Sequence, residues 1–329
     1  MNRRSSPKKI PGFAFCMILV SALFLFCTAA FADVMIDAST FPDKNFRDYV
    51  SRRFDKDRSG SLSAGEIANA KSIDAGHLSI SSMAGLEVFT ELDYLNCSEN
   101  NLTALDVSRN TKLKKLYCFT NQLESIDVSK NPQLQVLWCS QNPLTALDVS
   151  KNTLLEDLNC IHSFLKALDV SRNTRLKLLY CFDNQITSLD ISKNTKLEEL
   201  SCGENRLTKL NVMKNKKLRM LLCDDNQLTK LNVSKNKKLV RLSCIRNKLT
   251  KLDVSKNTKL YGLEVYGNKL TALDVSNCPT LVKLIKSKSA KTIKARYGWW
   301  NSDGSGWIDW QKPHLFMDEN VRLTPTPKR

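Results

Sequence analysis

LKKLYCFTNQLESIDVSKNPQ, residues 113–133, and LRMLLCDDNQLTKLNVSKNKK, residues 218–238, are one unit written twice. The unit returns every 21 residues from Leu92 to Thr280, nine times in all, as L-x-x-L-x-C-x-x-N-x-L-x-x-L-D-V-S-x-N-x-x. A fixed period of this length means stacked units, each burying its apolar face against the next instead of closing a core of its own. Within L-x-C the leucine and cysteine alternate with variable residues, the pattern of a short strand with one face inside. Nine such strands in parallel, about 4.8 Å apart, predict a sheet about 40 Å long. The second half of the unit repeats the pattern more quietly. LTALDVSRN, residues 102–110, reads L-x-x-L-x-V-x-x-N and predicts a second short strand on the opposite wall.

Two asparagine columns fall at the corners between the walls, starting at Asn100 and at Asn110, where a buried amide can satisfy backbone groups that a turn leaves unpaired. The columns break at Ser163 and at Cys278, and both breaks predict local irregularity. Cys97, Cys118, Cys139, Cys160, Cys181, Cys202, Cys223 and Cys244 recur at the same period in a core position that Val265 holds in the ninth unit. They read as small buried hydrophobes with free thiols: side chains on parallel neighbours stand about 4.8 Å apart, wide for a disulfide. A row of single cysteines also lacks tetrahedral zinc geometry.

The signature resembles that of the leucine-rich-repeat family, L-x-x-L-x-L-x-x-N-x-L, with Cys for the third Leu, over residues 92–280 and an incomplete first turn at 73–91. The expected fold is a β-rich solenoid with a parallel sheet and a short second strand or turn on the opposite wall. A small helical cap at 33–72 and a Trp-rich cap and tail at 281–329 close the ends. Bacterial leucine-rich-repeat proteins of this appearance, internalin-like ones included, are commonly secreted or surface factors that contact host proteins, which is what the resemblance implies here.

Residues 1–32 read as a secretory signal peptide: Arg3, Arg4, Lys8 and Lys9 precede an apolar run from Phe13 to Phe26 and the small-residue site Ala30-Phe31-Ala32. Cleavage near Ala32 predicts a secreted or surface-associated protein with no transmembrane segment in the mature chain. It removes four basic residues and no acids, lowering the formal charge from +17 to +13.

Between leader and repeats, DKDRSGSLSAGE, residues 55–66, matches the 12-residue EF-hand loop. Asp55, Asp57, Ser59 and Glu66 offer side-chain oxygens, Ser61 its carbonyl, Ser63 a direct or water-bridged contact, and Gly60 permits the sharp turn. Asp43 to Phe54 and Ala64 to Lys71 are the expected flanking helices. EF-hands and dockerin modules work in pairs, and this loop is single with three carboxylates, so the expected role of calcium is weak and structural. Beyond Leu284, Trp299, Trp300, Trp307 and Trp310 are expected to cover the last repeat.

Comparing the nine copies separates scaffold from surface, because D-V-S-x-N barely changes while the residues flanking L-x-C differ in every copy. The expected partner-binding residues are Tyr94, Tyr117, Phe119, Trp138, Tyr180 and Phe182 in the first five repeats, and Arg241 and Arg246 further on. Acidic residues (Glu199, Glu204, Asp224, Asp225) lie between these groups. The opposite wall carries the lysine columns Lys209, Lys230, Lys251 and Lys214, Lys235, Lys256, which predict either a solvated face or a binder of anionic glycan or cell-wall polymer. Nucleic acid is a poor fit, since no nucleic-acid-binding motif accompanies the charge. A calcium-dependent polysaccharide lyase is the enzymatic alternative, with Asp224, Asp225 and Arg241 as the nearest approach to a catalytic cluster. Only His77, His162 and His314 are present, dispersed, with no serine elbow, metal-binding His pair or phosphate loop. The expectation is a non-catalytic protein with a protein ligand.

Overall fold

The computed structural model describes residues 33–287, 313–318 and 320–324. The leader with its cleavage site and the Trp-rich stretch lie outside the described residues. Among those described, no helix is long and apolar enough to cross a membrane.

The chain opens with β1 (Val34–Met35), α1 (Lys44–Phe54), β2 (Ser61–Leu62) and α2 (Ala64–Asn69). The main sheet then begins at β3 (Ser72–Asp74), inside the incomplete first turn, followed by a 3-10 turn at Leu86–Val88. Nine three-residue strands follow, one per repeat: β4 (Tyr94–Asn96), β5 (Lys115–Tyr117), β6 (Val136–Trp138), β7 (Asp157–Asn159), β8 (Leu178–Tyr180), β9 (Glu199–Ser201), β10 (Met220–Leu222), β11 (Arg241–Ser243) and β12 (Gly262–Glu264). After them come β13 (Ala272–Asp274), α3 (Pro279–Lys286), β14 (His314–Phe316) and β15 (Arg322–Thr324).

Strands β3 to β12 are consecutive and parallel, and β14 adds to β12 as the eleventh strand. Every pairing between repeats is in register at 21 residues, Leu95 opposite Leu116 and Leu116 opposite Leu137. Ten strand spacings make the sheet about 48 Å long. The strand leucines, the cysteines and the leucine and valine of L-D-V form one continuous buried core. All the described cysteines are buried and free. Burial pushes the thiols of Cys97, Cys139 and Cys181 up to about 12, because a thiolate there would lose its water.

Of the two expectations for the opposite wall, a short strand or a turn, the structure takes the turn. Among the described residues the opposite wall is a series of tight turns, with one isolated bridge, Asp106 to Asp127, and a true strand pair only where β13 meets β15. The D-V-S motif explains this: Asp106 Oδ1 accepts the Ser108 N–H at 2.8 Å, and Asp127, Asp148 and Asp169 repeat the bond. This side-chain-closed turn competes with a ladder for the same backbone.

Both asparagine columns bond backbone, and all but Asn268 at the end of the first are buried. In the first, Asn121 Nδ2 donates to the carbonyls of Cys97 (3.0 Å) and Cys118 (3.1 Å), and its Oδ1 accepts Leu102 N–H at 2.9 Å, so one amide ties two coils. In the second, Asn131 Nδ2 donates back to Val107 (3.0 Å) and Asn110 (2.9 Å) of the preceding coil, while its Oδ1 has no partner. At Ser163 the first column loses its amide. Leu144 N–H bonds Asn142 O at 2.8 Å instead, and the Ser163 hydroxyl is buried without a partner. At Cys278 the second column ends, with Pro279 starting α3.

The N-terminal hairpin caps the first coil. Phe46, Val50 and Phe54 of α1 are buried, with Phe54 against Phe89 at 5.0 Å between ring centres. Asp43 Oδ1 caps α1 at Phe46 N–H while its Oδ2 accepts Ser81 N–H at 2.7 Å, and Tyr49 Oη accepts the Asp74 N–H on the outer edge of β3. Gly85, at φ +97°, lies where a Cβ would meet the Phe41 ring at 2.3 Å, so the junction requires glycine.

Candidate functional site

Each strand turns its first and third residues outward and its exit adds one more, so three columns run along the sheet. In the third-residue column Tyr117, Trp138, Asn159 and Tyr180 are successive partners, while Asp157, Leu178 and Glu199 follow one another in the first. Phe119, Ile161 and Phe182 belong to the exit column. The rings interlock: Tyr94–Tyr117 at 5.6 Å, Tyr117–Trp138 at 5.3 Å edge-on, Phe119–Trp138 at 6.3 Å. Phe182 packs edge-on against His162 at 5.8 Å. All six are half-buried, because parallel in-register strands bring neighbouring rings into contact. The described large hydrophobics that are more than half exposed are Met35 and Phe164, the latter beside Ser163 and missed in the sequence reading.

Two carboxylates lie diagonally beside these rings. Tyr180 Oη donates to Glu199 Oε2 at 2.6 Å. Asp157 is half-buried near Trp138, and neither Asp157 Oδ1 nor Trp138 Nε1, both shut off from solvent, completes a hydrogen bond. Desolvation raises the Asp157 carboxyl above its ordinary range; the nearby Trp138 N–H lowers it in part and the charge of Glu199 adds to the rise.

Further along, the sheet face closes over. Arg241 is 12% exposed and donates to Glu264 Oε1 at 3.1 Å, and His314 Nε2 meets the same oxygen at 2.7 Å. Arg241 is therefore corrected from a surface contact to a member of a buried ionic cluster. Burial alone would raise Glu264, but the His314 hydrogen bond and the Arg241 charge overcome it and hold the carboxyl low. Gly262 makes room: a Cβ there would meet His314 Nε2 at 2.8 Å. Asp224 bonds the Ser243 hydroxyl and Ile245 N–H, and burial, with repulsion from Glu264, pushes it up to about 7. Arg246 reaches Asp225 with Nη2 to Oδ2 at 2.6 Å and keeps 39% exposure. Asp224, Asp225 and Arg241 thus sit in ion pairs and hydrogen bonds that hold the end of the sheet together. The signal missed was Leu315-x-Met317-x-x-Asn320, a repeat fragment that brings His314 back to the sheet.

In the loop at 55–66, one oxygen each from Asp55, Asp57 and Glu66 lie within 4.8 Å of one another, a spread compatible with calcium–oxygen distances of about 2.4 Å. Asp55 accepts Ser59 N–H at 3.0 Å and Gly60 N–H at 3.1 Å, and Glu66 accepts Lys56 N–H at 2.6 Å. The Lys56 amide bond foremost, then the bonds from the Ser63 amide and hydroxyl, lower the Glu66 carboxyl. Ser59 donates to Ser61 O at 3.2 Å, and Ser63 caps α2 and donates to Glu66 Oε2 at 2.8 Å, so the three serines bond within the loop. The partner that a second EF-hand would supply is β1, antiparallel to β2 with Val34 opposite Leu62.

Residues 174–215 match the family described as Leucine Rich repeats (2 copies). The solved functional domain of InlJ from Listeria monocytogenes, described as including a cysteine ladder, is 41% identical, with a TM-score of 0.73 over 75% of this chain and 55% of that one. The fold is that of the leucine-rich repeats. Internalin J from Listeria monocytogenes serotype 4b (strain F2365) is 42% identical over 71 residues, 22% of this chain and 8% of that protein. The internalin InlF from the same strain, 20% identical with a TM-score of 0.52 over 90% of this chain, shares the leucine-rich-repeat fold. The chain thus spans about half of the solved relative and a small part of the curated one.

Proposed function

We propose that this leucine-rich-repeat chain is an exported, non-catalytic binding protein that holds a polypeptide ligand on the sheet face between Tyr94 and Phe182. The observation that carries this reading is the division of labour between the walls. The turn wall repeats one closed hydrogen-bond pattern, whereas the sheet wall changes residue at every coil and sets Tyr94, Tyr117, Trp138 and Phe119 in mutual contact. Rings already held by neighbours lose little freedom on binding and make good anchors. The likeness to internalins supports a protein-interaction role. Replacing Tyr117, Trp138 and Tyr180 together by Ser is expected to abolish partner capture from a host extract while circular dichroism stays that of the parent; unchanged capture would move the site elsewhere.

A second reading, attachment to an anionic glycan or cell-wall polymer, is favoured by the exposure of Lys209, Lys230 and Lys251 and of Lys214, Lys235 and Lys256 on the turn wall. Changing these six to Gln would then release the protein from a polyanionic polysaccharide column without touching partner capture. We also propose that Asp55, Asp57 and Glu66 hold calcium, which would pin the capping hairpin, and that residues 1–32 direct export.

A further inference from the structure

The sheet face carries two aromatic–carboxylate pairs, Trp138 beside Asp157 and Tyr180 on Glu199, two strands apart along the ladder. The first-column neighbours of Asp157 are Val136 and Leu178, and those of Glu199 are Leu178 and Met220, all uncharged. Among the described residues no basic side chain pairs with either carboxylate, although acids elsewhere on this face do have such partners: Asp183 with His162, Asp225 with Arg246 and Glu264 with Arg241. Asp157 Oδ1 and Trp138 Nε1 are enclosed beside each other, and neither meets a described basic side chain. A carboxylate half-withdrawn from water beside an aromatic ring lacks a counter-charge. What complements it is a cation that also has a flat or greasy surface, since the electron-rich faces of Trp and Tyr attract cations. Hydration of Asp157 is already reduced, and its carboxyl is raised by that desolvation, with Glu199 adding to the rise.

We propose that this part of the face, Tyr117, Trp138, Asp157, Tyr180 and Glu199, recognises basic side chains of a partner polypeptide, two arginines or lysines about 10 Å apart, one per aromatic–carboxylate pair. The inference rests on the reading of the sheet wall as the binding face and adds the chemistry of what it takes. It also gives the net-positive chain a reason to discriminate. The protein as a whole repels cations, so only a ligand that reaches the acidic pairs and stacks on the rings gains from them.

The test uses the chain with its leader removed and fluorescein-labelled hexa-arginine, read by fluorescence anisotropy, with hexa-citrulline as the uncharged isostere. Hexa-arginine is expected to bind at least tenfold tighter than hexa-citrulline, and the charge-removing pair D157N and E199Q to erase that preference. Circular dichroism and melting of the double variant guard against misfolding, and Y117S, tested alone, should weaken hexa-arginine without removing a charge. Equal affinity for the two peptides, or a preference that survives D157N and E199Q in a folded protein, overturns the inference. Displacement of hexa-arginine by phosphocholine at lower concentration than by free arginine would assign the pairs to a choline headgroup and overturn it as well. Capture from extract that depends on Tyr117, Trp138 and Tyr180 but shows no arginine preference keeps the binding face and sinks only the basic-ligand claim.

Discussion

Ser163 stands where eight repeats carry asparagine, and its hydroxyl can neither accept Leu144 N–H nor reach the two carbonyls that an amide would bridge. Ser163→Asn should restore that bridge and raise stability by about 1–2 kcal/mol, one or two net hydrogen bonds, measured as a higher urea midpoint at unchanged slope. Asp224 makes the opposite demand. Its carboxyl is held at about 7 when folded, mainly by burial and then by Glu264, against an ordinary 3.8. The native state therefore keeps a proton that the unfolded chain has released. The Asp224 contribution is full below about pH 4, falls as pH rises toward 7 and levels off above, a loss on the order of a few kcal/mol. Asp224→Asn should flatten that segment of the stability–pH curve, so the variant outlasts the parent at pH 8 and matches it at pH 4. A parent curve without this fall between pH 4 and 7 would contradict the assignment. The aromatic residues could be named from sequence because they interrupt a repeat. Their half-burial could not, because it depends on in-register rings on adjacent coils.

Along each strand the cysteine serves as a core group of modest size. Cys139 is fully buried between Cys118 and Cys160, and Val265 fills the same place in the ninth repeat. Cys139→Val should cost less than about 1.5 kcal/mol, whereas Cys139→Ser, which buries a hydroxyl without an assured partner, should cost about 1–3 kcal/mol. Thiols held near 12 are almost wholly protonated at neutral pH, so alkylation of native protein should be slow and become fast only through the unfolding transition; prompt labelling of the native chain would contradict a closed core. At this scale the strands were legible because L-x-C is a period-two pattern. The opposite wall left strand and turn both open because L-D-V has the same pattern, and the aspartate decides for the turn by closing it onto Ser two residues on, as Asp106 does to Ser108.

A solenoid is as stable as its ends, and this one closes its first coil with a hairpin whose loop gathers Asp55, Asp57 and Glu66. Calcium should raise the melting temperature of the mature chain by a few degrees, and Asp57→Asn, an exposed change, should remove the increment while leaving the calcium-free melting point nearly unaltered. A melting curve indifferent to both calcium and chelator would take calcium out of the account. The far end was harder to foresee. Leu315-x-Met317-x-x-Asn320 is a tenth fragment of the repeat, but it follows the ninth strand by about fifty residues and replaces Cys with Met, so periodicity alone did not connect them. Only the fold shows that His314 and Glu264 meet there and withdraw Arg241 from the surface.

The second asparagine column has one further consequence. Each Nδ2 donates to the coil before it and each Oδ1 is left unpaired, so the bonds run in one direction from Asn110 to Asn257. A coil therefore meets the same acceptors behind it and the same donors ahead wherever it stands. Splicing in or excising a multiple of 21 residues preserves every such junction, whereas a change of 20 or 22 breaks one. The molecule's length is thus quantised, and its reach can be altered in whole coils without redesigning the interior.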